Sequence, residues 1–186
     1  MTGVFTHILG TLAVIAVTLA VITVFQGVAD YYCLEAARVQ LREVVEAVGR
    51  GIVEAVSLHT IGGGSVTVME LKMPLRISGM SYTVRIRDES GGVVELVGTL
   101  SDLNYTRTIV LPNFGEGVVE AVEGPVTLEC SGVELEVSDN VRMPLSGRVY
   151  VVILREGEKS LLGFMQGDLT VEEIDAVSSG ACGWGG

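Results

Sequence analysis

At 186 residues the chain is long enough for one domain of ordinary size plus an extra helix, and it is acidic: 23 Asp and Glu against 12 Lys and Arg give a formal charge of −11. With no Lys/Arg cluster, this balance excludes nucleic acid, whose binding rests on neutralising phosphates, and it repels anionic lipid headgroups, so membrane attachment must come from apolar residues. The average of 48% apolar and 19% charged residues hides an asymmetry: residues 1–29 contain no Asp, Glu, Lys or Arg.

The first predicted element is an apolar helix over residues 4–25, built from Val, Ile, Leu, Ala, Phe, Thr and Gly, with His7 its one strongly polar side chain. At about 1.5 Å per residue it spans roughly 33 Å, the thickness of a hydrocarbon core. Its threonines, Thr6, Thr11, Thr18 and Thr23, can bond back to their own helix. A cleavable secretory signal has a basic start and a shorter apolar stretch, so a retained helix is expected. The missing basic start fits either a short basic leader removed ahead of Met1 or a chain that starts there. Val4, Phe5, Ile8, Leu12, Ile15, Leu19, Ile22 and Phe25 are the candidate lipid-facing or helix-facing residues. Gly3, Gly10, Ala13, Ala16, Ala20 and Gly27 recur at helical spacings that let helices approach closely, although Ala and Gly are common in any membrane helix.

The helix is expected to continue. Over residues 30–58 there is no Pro, and Leu34, Ala37, Leu41, Val44/Val45, Val48, Ile52 and Val56 follow the three-and-four spacing of one stripe. Arg42, Glu46, Arg50 and Glu54 form a ladder of alternating charge on the other face. Gly49 and Gly51 weaken this stretch, and Gly62-Gly63-Gly64 ends it. Residues 1–58 therefore read as one long helix, apolar first and amphipathic second.

From residue 65 to 169 the period changes to that of strands, expected at 66–71, 82–88, 93–100, 105–111, 117–122, 126–130, 133–137, 148–155 and 160–164. Turn signals separate them at Ser90-Gly-Gly92, Asn113-Phe-Gly115, Glu123-Gly-Pro125, Ser131-Gly132 and Glu156-Gly157. The expected fold class is α+β: a long N-terminal hydrophobic helix followed by an all-β, sandwich-like domain. In the tail, residues 170–186, Thr170-Val-Glu-Glu173 reads as a capping box or a final edge strand, and Ser178–Gly186 as irregular chain.

No active site is expected, and the protein does not read as an enzyme. His59, at the predicted helix end, reads as a residue serving terminal carbonyls. Gly62-Gly-Gly64 lacks a following Lys and is not a phosphate loop. The acids Asp168, Glu172, Glu173 and Asp175 read as a solvated face, as do Glu134 and Glu136, so neither metal nor cofactor is expected. Asn104-Tyr105-Thr106 is a glycosylation acceptor if the domain lies outside the cell. An outside location also permits one disulfide among Cys33, Cys130 and Cys182. Cys130–Cys182 is the favoured pair, because it would staple the tail to the domain; Cys33 then reads as a small buried residue on the helix.

The apolar segment Gly3–Phe25, its continuation Asp30–Val56 and the strands from Val66 onward together resemble an archaeal type IV pilin or archaellin-like protein. Met73-Pro-Leu-Arg-Ile-Ser-Gly-Met-Ser-Tyr-Thr-Val84 also resembles a strand–turn–strand of archaeal pilin-like secreted proteins. The resemblance implies a short basic leader cleaved by a secretion and assembly machinery, a bilayer-inserted stage, and then self-association into an extracellular helical filament with the helices in its core. Two departures stand out: no leader is visible, and Phe5 occupies the place where bacterial relatives carry an acid. The alternative expectation is a single-pass, membrane-anchored cell-surface accessory or adhesion domain that does not polymerise.

Overall fold

The computed structural model describes residues 2–186 except 64, 90–92, 113, 115–117, 131–132, 145–146, 171–172, 174–176, 178–181 and 185–186; at 2–6, 130, 133 and 182–184 it describes the backbone alone. One helix, α1 (Thr2–Gly62), is followed by eleven strands among the described residues: β1 (Val66–Leu71), β2 (Tyr82–Glu89), β3 (Val93–Leu100), β4 (Tyr105–Val110), β5 (Val119–Ala121), β6 (Val126–Cys130), β7 (Val133–Ser138), β8 (Asn140–Met143), β9 (Arg148–Glu156), β10 (Lys159–Gly167) and β11 (Cys182–Trp184). The layout is the expected α+β one. The chain divides into two compact units, residues 1–38 and 39–186.

In the second unit the strands form two sheets. One runs β1-β9-β10-β7-β6-β11, and the other runs β4-β3-β2-β8. Neighbours are antiparallel except β5, which lies parallel to the first half of β10 (Ser160↔Val119), while the second half of β10 pairs with β7 (Phe164↔Ser138). β9 pairs with β1 on one side and with β10 on the other, and Val149 to Leu154 are all buried, so both of its faces are covered.

The helix from residue 39 onward packs against both sheets, and its apolar stripe explains why. Leu41, Val45, Val48, Ile52, Ala55 and Val56 are buried at three- and four-residue steps, on one side of the helix. Two of its glycines mark the closest approaches. A Cβ on Gly49 would come 2.8 Å from the Ile109 side chain of β4, and one on Gly51 would come 2.6 Å from that of Leu71 on β1. The glycines that weaken the helix in isolation therefore admit a sheet on either side. The four-stranded sheet turns Tyr82, Val84, Ile86, Leu96 and Leu100 inward and leaves Arg87 exposed on its other face. A second apolar cluster lies on the other face of β9, where Tyr150, Val152 and Leu154 meet Leu128, Leu135 and Val137.

Several expectations shift on contact with the structure. Cys33 is exposed rather than buried, because nothing among the described residues covers it, although four-residue spacing places it on the line of Ala37 and Leu41. His59 does not serve the helix carbonyls. It is 2% exposed, and its Nδ1 lies 2.9 Å from Thr67 Oγ1 on β1. The strands β8 and β11 were not expected. The first link of the charge ladder closes, with Arg42 Nε donating to Glu46 Oε1 at 2.7 Å. The capping box forms reciprocally: Thr170 N donates to Glu173 Oε2 at 2.7 Å, and Glu173 N donates to Thr170 Oγ1 at 3.3 Å. The turn within Met73–Val84 is a tight one, with Ser78 and Gly79 both at positive φ between bridged Ile77 and Met80. Gln40 of the helix holds it, its Oε1 accepting from Ser78 N at 3.1 Å and from Ser78 Oγ at 3.0 Å. The expected turns at 90–92 and 131–132, residues 113 and 115 of a third, Glu172 and Asp175 lie outside the described residues.

Candidate functional site

The candidate site is the surface of the first unit, whose residues 2–38 continue helically and are mostly apolar to residue 29. Its side chains turn outward on every side: Ile8, Leu12, Ile15, Leu19, Ile22 and Phe25 are all about half exposed or more, up to 71% for Phe25. A soluble helix hides its apolar stripe; this one has no polar stripe to offer water. The side chains of Val4 and Phe5 lie outside the described residues, and Gly3 enters only as helical backbone.

Three threonine hydroxyls of this stretch are satisfied internally. Thr11 Oγ1 donates to His7 O at 2.9 Å, Thr18 Oγ1 to Val14 O at 2.8 Å and Thr23 Oγ1 to Leu19 O at 2.9 Å. Each hydroxyl bonds to the carbonyl one turn back, which removes the cost of placing an unpaired donor in an apolar medium. Ala13, Ala16 and Ala20 are exposed, and Gly10 and Gly27 have open space where a side chain would stand. The small residues thus form shallow, uncovered places on the helix.

Two residues outside the expected set complete the surface. Tyr31 and Tyr32 follow the first charge, Asp30, and are 64% and 67% exposed, with their rings edge-to-face at a centroid distance of 5.8 Å. Tyrosine is enriched where hydrocarbon meets water, since its ring is apolar and its hydroxyl is not. The signal in the sequence was the adjacency of two aromatics to the first charged residue.

The other singled-out residues lie elsewhere. Asn104 is exposed, at φ 48° in the turn between β3 and β4. Cys182 stands opposite Cys130 in the β11–β6 pairing, while their side chains lie outside the described residues. A polar cleft of about 290 Å³ is lined by Arg85, Asp88, Glu123 and Asp139 among others. Three of its charges are engaged structurally: Arg85 Nε donates to Asp139 Oδ2 at 2.6 Å, and Ala121 N donates to Asp88 Oδ2 at 2.6 Å. Burial raises the Asp88 carboxyl above its usual range against the pull of that backbone donor.

By length and composition, one helix among the described residues can cross a membrane, and the strands of the second unit form a two-sheet β-domain. By sequence the chain belongs to the family of unknown function DUF7266, whose profile matches residues 5–138. That match takes in the apolar helix and the strands through β7. No curated protein and no solved structure matches the chain.

Proposed function

We propose that the protein is the structural subunit of an extracellular, type IV pilus-like filament, with its N-terminal helices packed together in the core and its β-domains forming the outer wall. The observation that carries this reading is the contrast along one helix. The second half buries its apolar stripe within its own domain, while residues 8–25 expose apolar side chains all round and keep their threonine hydroxyls bonded internally. Such a surface needs lipid or like helices around it. The open small residues Gly10, Ala13, Ala16 and Ala20 support helix neighbours, and the resemblance to archaeal pilins adds to that support.

Ala16→Arg tests it. Charge in the core should abolish fibres, seen by negative-stain microscopy of sheared surface material, while residues 39–186 keep their circular dichroism. Normal fibres from this variant would refute the packed core.

A second reading, a permanent membrane anchor for a surface domain, is favoured by Tyr31 and Tyr32 at the end of the apolar run. Recovery of the protein solely in detergent-solubilised membranes would select it. Under either reading the β-domain is outside and Asn104 is the expected glycan acceptor, consistent with its exposed turn. An unmodified mass for the peptide containing Asn104 counts against that assignment.

A further inference from the structure

After β10, Thr170 and Glu173 exchange the hydrogen bonds of a capping box, Val177 is fully buried in the second apolar cluster, and β11 stands at the end of the sheet order. There β11 pairs antiparallel with β6 in the register Cys182↔Cys130, Gly183↔Glu129 and Trp184↔Leu128. Two of the three cysteines in the chain are thus directly opposite each other, although they are far apart in sequence and carried by different strands.

We propose that Cys130 and Cys182 form a cross-strand disulfide that fastens β11 and the tail to the domain, leaving Cys33 as the one free thiol. Directly opposed residues of an antiparallel pair have Cα atoms about 4.5 Å or about 5.5 Å apart, depending on the hydrogen-bonding site, and both values fall within the range of about 4.4–6.8 Å that a disulfide spans. The backbone register alone therefore meets the distance requirement, whichever type of site this is. The strand also has need of such a tie. Among the described residues β11 has three residues and a neighbour on one side alone, whereas strands usually run to about five or six residues. Cys33 lies on the exposed helix of the other unit and has no such partner by register.

Formation is an exchange reaction. The thiolate of one cysteine attacks a donor disulfide, carried by a thiol oxidase or a small molecule, forming a mixed disulfide and releasing one donor thiolate. The opposing cysteine, once deprotonated, attacks its partner's sulfur and releases the second donor thiolate. The protein loses two electrons and two protons, and the donor gains the electrons as a dithiol. The bond shares with the proposed function an outside, oxidising location, but it is read by thiol chemistry and not by microscopy, so the two can fail separately.

The test is peptide mapping of full-length protein isolated from cells, with free thiols blocked by iodoacetamide at lysis and no reductant added. A cross-linked species joining the peptides of Cys130 and Cys182, with the alkyl group on Cys33, is the expected result. Alkylation of both Cys130 and Cys182 overturns the proposal, and so does a cross-link from either of them to Cys33. In Cys33→Ser the Cys130–Cys182 cross-link should persist. Its loss there would likewise overturn the pairing.

Discussion

His59 at the end of the helix and Thr67 on the first strand share a hydrogen bond, Nδ1 to Oγ1 at 2.9 Å, across the three-glycine turn that separates them. His59 Nε2 is buried with no partner among the described residues. Burial, and then the nearby Arg155 charge, hold the imidazole pKa below its ordinary 6.5. A depressed folded pKa means that the unfolded chain binds the extra proton first. The stability this site contributes is therefore complete above pH 6.5 and is lost as pH falls from there toward the folded value. Protonation would make both ring nitrogens donors and leave one buried and unpaired, a cost of about 1–3 kcal/mol. Thermal melts should show a midpoint that falls as pH drops below 6.5, and His59→Gln should flatten that fall. An unchanged slope in the variant would assign the pH dependence elsewhere.

Gly98 on β3 lies under the helix, where a Cβ would run into Val45 and Leu41. Gly98→Val should overpack this contact and cost about 1–3 kcal/mol in urea denaturation. Gly10, with open space around it, is the contrast. Gly10→Leu should leave the unfolding of residues 39–186 unchanged and weaken fibre formation, if like helices pack there.

Asp139 is 5% exposed and accepts from Arg85 Nε at 2.6 Å and from Asn140 Nδ2 at 2.7 Å, while its backbone oxygen accepts from Ile86 N at 2.7 Å. Arg85 is half exposed and can turn to water when its partner is removed. Asp139→Ala should therefore cost about 1–2 kcal/mol, the value of lost bonds rather than of a stranded buried charge. Chemical denaturation of the variant checks this.

Tyr31 and Tyr32 predict a depth as well as a location. If they sit at the boundary between hydrocarbon and water, Tyr31→Ala with Tyr32→Ala should loosen the fixed register of the helix in a vesicle. Lipid-carried quenchers placed at the headgroup level should quench tyrosine emission in the parent chain and lose that effect in the double variant. Equal quenching at every depth would reject an interfacial position.

Much of this architecture was legible from local pattern. Val66–Leu71, Val93–Leu100 and Val126–Cys130 are found at their expected bounds, because β-branched residues run between strong turn signals there. The helical stripe was readable through Leu41, Val45, Val48 and Ile52 because its period is itself the record of what it buries. β8 was not readable. Its four residues carry little pattern, and it exists by pairing with β2, Tyr82↔Met143 through Arg85↔Asn140, across more than fifty residues of chain. Cys33 shows the converse failure, since a residue can lie on the right line of a helix and still find nothing among the described residues to cover it. For the candidate site, apolarity was evident from composition alone. The expectation that its threonines bond back to their own helix is met at Thr11, Thr18 and Thr23, each donating to the carbonyl four residues earlier.

β9 has neighbours on both sides and apolar cover on both faces, and this sets an order in which the domain opens. Amide protons leave slowest where no partial unfolding releases them, so Val151 to Ile153 should exchange through global unfolding. β4, at the rim of its sheet with Thr106, Thr108 and Val110 facing out, should open by local fraying far more often. The domain would then yield to proteases or to mechanical load from its rims inward, keeping β9 and its neighbours β1 and β10 as the last cooperative unit.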